Sequence, residues 1–524
     1  MTIIKINSTP NAWNRGPYGS PLALRAGPRA RRRECRGLAI ILVLAMISMT
    51  MAVSYSLLRS QTAQLKSAGG SDLRTEAREA ALSGMSAALR KMYQSTWGGA
   101  DSTITGTLST SQSYSATYTT GDPAIGVADA NAADWSYRVT IDTTGYATDT
   151  SISTVPTTYK IQAVAKVVLK QVSANPGIWP TMQNYVIYQT GTDDCTLQLP
   201  FRCEGALRFQ GSLTNFSTTY PSPSSCRGDY LSDLNEMRTR GYGDNRPFTG
   251  PLYLPTASTS STIRSLFTSN LGVTVNNLST TTSTGWSTPS SSMSTYQLYP
   301  GGRNYTIPTL ATTVSGTTLA PDPRTNPAGL FYRNGDVTLG SNTSITGTII
   351  SSGKVKFTGT NVAVQSYSLP PLDGSTTANQ LPAVMATSDV TVGDGSTATV
   401  RGTVATFGKF SASAGTQDSL FDLKGKLICR QMEVLSRSEW NLGSFWWSLA
   451  YSWFNSQAND SDGQKYLPIY MQNWGMYYPP KITITGPTGA ATAQQWFAAG
   501  TPLYIVGTGD SGMRWSIVRM KENP

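Results

Sequence analysis

Gly509-Asp510-Ser511-Gly512 spells the nucleophile segment of a serine protease, and with Gly507 it also spells a phosphate-binding GxGxxG. Neither chemistry can be completed. A serine nucleophile of that kind needs a histidine base, and none of the 524 residues is histidine. The same absence removes histidine-ligated metals. The glycine phrase needs a helix N-terminus to meet phosphate. After Met513, however, Trp515, Ile517 and Val518 fall in strand-like alternation, so the phrase reads as a hairpin turn. Asp460-Ser461-Asp462-Gly463 suggests calcium, but an EF-hand loop in that frame would start at Ala458 and end at Ile469. No carboxylate pair is singled out for glycoside chemistry. The expectation is a non-enzymatic chain with no catalytic residue, metal or cofactor.

The reactive groups that remain are thiols. Cys35 lies before a long apolar run; Cys195, Cys203, Cys226 and Cys429 follow it. Four cysteines outside the cytoplasm suggest two disulfides, with three possible connectivities. Charge supports that placement. Residues 1–37 carry +7 of the net +11, concentrated at Arg31, Arg32, Arg33 and Arg36 just ahead of the apolar run. Such a cluster holds the N-terminus on the cytoplasmic side, so the rest is expected outside. The remaining 487 residues carry only +4 and show no basic stripe with interleaved aromatics, so nucleic acid is not an expected partner.

The elements that would position these groups begin with one stretch, residues 31–92. Gly37 to Leu58 is uncharged and mostly apolar. As a helix it would be about 33 Å long, enough to cross a bilayer core. A polar helix continues, with Leu73, Ala77, Ala81, Met85, Ala88, Leu89 and Met92 at spacings of three and four that mark one buried face. Gly69-Gly70 predicts a kink or a local break. A cleavable secretory signal and a simple anchor are the competing readings.

Arg36-Gly37, the apolar start Leu38-Ala39-Ile40-Ile41-Leu42 and the segment from Glu79 to Ala88 resemble type IV pilin-like proteins, specifically PilX-type minor pilins and long pseudopilins. The resemblance covers about sixty residues. It implies that a prepilin peptidase cuts between Gly37 and Leu38, and that the mature helix joins other pilin subunits after waiting in the inner membrane. Major pilins of that family carry Glu at the fifth mature position. Leu42 stands there instead, which fits a minor or tip subunit.

Residues 1–37 are thus expected to be a cleaved leader and 38–93 the helix. Residues 94–182 read as an antiparallel sheet packed on it, from alternating runs such as Tyr137–Ile141 and Tyr159–Val167. Residues 183–436 hold an internal repeat. Asp194-Cys195-Thr196-Leu197 recurs as Asp336-Val337-Thr338-Leu339 and Asp389-Val390-Thr391-Val392. Each copy is followed by a short strand centred on Gly205, Gly347 or Gly402, with Gly425 in a partial fourth copy. Short strands of this kind bury an apolar face only by stacking. They resemble bactofilin-like β-helices; a β-sandwich is the alternative. A Ser/Thr-rich insertion spans 216–325, and 437–524 reads as an aromatic-rich cap, or else an exposed partner- or sugar-binding patch.

The fold class is therefore α+β, with a long helix, an antiparallel sheet and a mainly-β region. The function expected is a minor pilin or pseudopilin, tip or adhesive, of a type IV pilus or type II secretion-like filament, meeting a surface ligand or carbohydrate. A permanently anchored surface protein displaying a β-helical module, and a polysaccharide-acting β-helix enzyme, are the other classes. In the repeat register, Cys195 replaces Val337 and Val390, and Cys203 replaces Ile345 and Val400. Both thiols should face one interior, which predicts a Cys195–Cys203 bond. Cys226–Cys429 follows by elimination.

Overall fold

The structure is a computed structural model. It describes residues 36–149, 155–168, 179–197, 201–214, 249–255, 273–278, 293–372, 378–435, 481–487, 492–494, 502–504 and 514–523, apart from single positions. Cys226, Arg31, Arg32, Arg33 and the aromatic run from Trp440 to Tyr478 lie outside those residues, as does much of the Ser/Thr-rich insertion. Two compact units divide between Ser71 and Asp72.

Helix α1 runs from Arg36 to Met92. The helix continues through Gly69-Gly70, so the expected break is absent. Two glycines cost a helix about 1 kcal/mol each relative to alanine, which long flanking turns can absorb. Beyond Asp72 one side of α1 is buried: Leu73, Ala77, Ala80, Ala81, Met85, Ala88 and Met92 are at most 7% exposed. Five antiparallel strands share their core. They are β1 (Thr103–Thr107), β2 (Gln112–Thr120), β3 (Arg138–Ala147), β4 (Thr157–Val168) and, beside β4, the C-terminal strand Arg514–Glu522. That last strand corrects the expected boundary of the C-terminal cap. Trp515, 7% exposed, anchors the chain end in the helix–sheet core, edge to face with Trp97 at 5.4 Å.

Apart from two short antiparallel pairs, Thr295–Gln297 with Asn304–Thr306 and Ser368–Leu369 with Ala378–Gln380, the remaining strands pair in parallel and in register. A sandwich built of hairpins would pair them antiparallel. Each coil supplies three strands, and like positions stack into columns along three faces, A, B and C. On face A the column reads Val337, Val355, Val390, Phe410, Met432, Cys195, Leu213. On face B it reads Ile345, Val364, Val400, Leu423, Ile484, Cys203. All are at most 1% exposed. Burial of such side chains contributes roughly 1.5–3 kcal/mol each.

The repeat's polar residues make the corners. Gly425 packs so closely on Gly402 that a Cβ would sit 1.9 Å from its carbonyl oxygen. Asp336 Oδ1 accepts the Lys354 N–H at 2.9 Å, and Asp389 Oδ1 accepts the Lys409 N–H at 2.9 Å. These two repeat aspartates thus hold the turn of the following coil.

The coils are out of chain order. Along the stack, 313–319 come first, and 337–435 follow. Lys481–Thr485 then lies on Leu420–Lys424, and Ile187–Gln189 on Leu427–Cys429. Coils 201–214, Leu252–Pro255 and Val275–Leu278 follow. The first coil in sequence therefore docks on the last, with a strand from the C-terminal region completing the seam.

Candidate functional site

The first candidate is the N-terminal half of α1. From Ile40 to Leu58 every side chain is exposed, including Ile40, Ile41, Leu42, Val43, Leu44, Ile47, Val53 and Leu57. This helix is long and apolar enough to cross a membrane, and none of its apolar window is buried. Three of its hydroxyls bond back to the helix. Ser48 Oγ donates to the Ala45 carbonyl, Thr50 Oγ1 to that of Met46 and Ser56 Oγ to that of Val53, each at 2.9 Å. A helix also makes its backbone hydrogen bonds internally, which a bilayer requires. Arg36, Gly37 and Leu38 occupy its first turn.

The other half of α1 sits in a seat built by small residues. A Cβ on Gly145 of β3 would lie 2.1 Å from the Ala77 carbonyl oxygen and 2.3 Å from the Ala81 nitrogen. Backbone meets backbone there, which explains alanines on the facing helix. Tyr118 Oη donates to the Ala88 carbonyl at 2.8 Å. Arg78 holds Glu522 through both carboxylate oxygens, at 2.9 and 3.1 Å, and Tyr159 Oη donates to the same carboxylate at 2.6 Å. Those hydrogen bonds, Arg78's first, hold the Glu522 carboxyl below its usual range. They fasten the C-terminal strand to the helix.

The thiols lie where the repeat register places them, but the expected pairing does not occur. Cys203 and Cys429 are buried thiols outside any disulfide, which removes both the Cys195–Cys203 and the Cys226–Cys429 bonds. Each occupies a column on its own face. Cys195 Sγ accepts the Met432 N–H at 3.3 Å along the stack, and its electrostatic neighbour is Cys429. Cys203 stacks on Ile484 from face B. The repeat identified which residues point inward; it did not report the separation between faces. Burial pushes the Cys195 thiol up to about 12 and raises Cys203 and Cys429 as well, so all three stay protonated and unreactive.

The outer surfaces of the three faces differ. Face A carries a ladder of ion pairs: Lys356–Asp336 at 3.3 Å, Lys354–Asp389 at 2.9 Å, Lys409–Glu433, and Arg430–Asp193 at 2.8 Å beside it. Face C is covered. Tyr332, Ile350, Met385, Ala405, Ile428 and Tyr188 form one apolar core with the antiparallel sheet. Face B presents mostly polar side chains, beside Leu420, 41% exposed. Among the described residues no cluster of potential metal ligands occurs. Sequence reading missed Lys426, buried on face C opposite Thr403; desolvation lowers it to about 8. No protein-family profile, curated protein or solved structure matches this chain.

Proposed function

We propose that this protein is a non-enzymatic minor pilin or pseudopilin, a tip or adhesive subunit of a type IV pilus or type II secretion-like filament. The observation that carries the reading is the division of α1. Its first half is apolar, uncharged and exposed all round, and its second half is buried by one face on an antiparallel sheet. A helix exposed all round in apolar residues needs lipid or other apolar helices. On this reading the segment waits in the inner membrane with Arg31, Arg32, Arg33 and Arg36 on the cytoplasmic side. Prepilin peptidase then cuts after Gly37, and Leu38 begins the helix that joins other pilin subunits. The β-helix is displayed outside the cytoplasm.

N-terminal sequencing of the mature protein tests the proposal. The expected start is an N-methylated Leu38, with Gly37→Leu leaving an uncut precursor in the membrane. A Gly37→Leu chain that is processed and assembled normally overturns it. An uncut but surface-exposed wild-type chain would make it a permanent anchor instead.

A further inference from the structure

We propose that the C-terminal strand Arg514–Glu522 is a docking edge for an extended segment of another chain, apolar on one side and acidic on the other, which adds to the antiparallel sheet as a sixth strand. The sheet ends at this strand. It pairs with β4, and among the described residues nothing pairs on its outer side. An open edge of that kind turns backbone donors and acceptors outward, ready for another strand. The opposite edge is β1, shorter and lined with exposed Thr103, Thr105 and Thr107. Beyond Leu58, Tyr93, Ile517, Val518 and Met520 are among the few large apolar side chains left exposed in the described residues, and all four gather at the C-terminal strand.

The two sides of the strand state what the occupant must carry. Ile517 and Met520 pair with Ala165 and Ala163, so they share the side of the sheet that packs on α1. Arg78 meets Glu522 at one end, and Tyr93 Oη donates to the Trp515 carbonyl at the other. From Arg78 to Tyr93 the helix rises about 22 Å, and from Trp515 to Glu522 the strand spans about 23 Å, so the two run flush in opposite directions. Leu82 and Leu89 lie between Arg78 and Tyr93 on that stripe of α1, and both are only half-buried. The sheet stops one strand short of covering them. Apolar side chains of an added strand would cover Leu82, Leu89, Ile517 and Met520 together. The other side of the strand carries Arg514, Arg519 and Lys521. Asp122 takes Arg519 at 2.8 Å, and Asp134 is taken by Arg138 and Lys166. Asp142 lies two strands in and accepts from Gln162. Lys521 is exposed and forms no ion pair among the described residues. A second copy pairing this edge with itself, antiparallel, would set these cations against their own kind on one face. Carboxylates on a partner segment answer them instead. The register shift at Val518 fixes the register that such a partner must match.

The inference stands whether or not the chain is cut after Gly37. Full-length protein in detergent is titrated with a fluorescent peptide of alternating valine and glutamate. Its valine–lysine and serine–glutamate counterparts, and the valine–glutamate peptide N-methylated at alternate amides, are titrated beside it. The first is expected to bind and to slow amide exchange across residues 515–521. The other three lack the charge, the apolar side or the ladder, and each should bind about tenfold more weakly or not at all. Ile517→Thr with Met520→Thr should weaken binding about tenfold while the sheet stays folded, which thermal melting will show. Lys521→Glu should move the preference toward the valine–lysine peptide. Leu420→Ser, an exposed apolar position on face B, should bind as the wild type does. Absence of wild-type binding, undiminished binding of the N-methylated peptide, or an equal loss in Leu420→Ser overturns the proposal. So does a dimer that forms with rising protein concentration and is abolished by Ile517→Thr with Met520→Thr, because the occupant of the edge is then a second copy.

Discussion

Gly145 and Lys426 show how single residues carry cost in this molecule. Gly145 has no room for a methyl group, because the helix backbone at Ala77 and Ala81 occupies that space. Gly145→Val should cost about 3 kcal/mol or more by forcing α1 off β3, and thermal unfolding will show the lowered midpoint. Lys426 is 8% exposed, and its folded value of about 8 lies below the usual 10.5. Between those values the unfolded chain binds more protons than the folded one. Stability should therefore rise from about pH 8 to about pH 10.5 and be flat below that window. Lys426→Met should abolish the rise and stabilise the protein at neutral pH by about 3 kcal/mol. Denaturant titrations at pH 7 and pH 10 read both effects.

At the scale of elements, α1 is one helix with two burdens. A Cβ on Gly70 would meet nothing within 4 Å. Gly70→Ala should strengthen the helix by about 1 kcal/mol, visible as slower amide exchange around residues 66–74. Were exchange there unchanged, glycine would not be limiting the helix. The C-terminal strand is held differently, through Glu522 on Arg78 and Tyr159 and through Trp515 in the core. Glu522 is exposed and its value lowered, so the ionised form is the one the fold favours. Glu522→Gln should loosen the strand's end while Trp515→Ala releases the strand, which proteolysis near Arg514 distinguishes.

The whole molecule depends on an out-of-order seam. Coils 187–214 pair with Leu252–Pro255 on one side, but the other side stays uncovered until 420–435 and Lys481–Thr485 are in place. Nucleation from the N-terminal coil outward would leave Cys195 and Cys203 without their stacking neighbours Met432 and Ile484. Ile484→Pro removes a ladder donor from the strand that closes this seam and should expose 187–214 to protease while sparing the antiparallel sheet. Simultaneous cleavage of both regions would mean that the seam and the sheet unfold as one unit.

What the sequence determined by itself are the periodic features. Spacing of three and four at Leu73, Ala77, Ala81 and Met85 marks a helix face whatever it packs on. The repeat's alternation marks Val337, Cys195, Ile345 and Cys203 as inward, because a strand's period of two is local. The aspartates and glycines of the repeat were legible for the same reason: each makes a corner within a coil or with the coil beside it. Only the tertiary structure decided which coil lies on which. The docking of 187–189 on 427–429, the return of Arg514–Glu522 to β4 and the stacking of Arg401 on Lys424 join residues far apart in the chain. The same holds for the thiols, since inward direction follows from local alternation while the distance between faces follows from the closed coil.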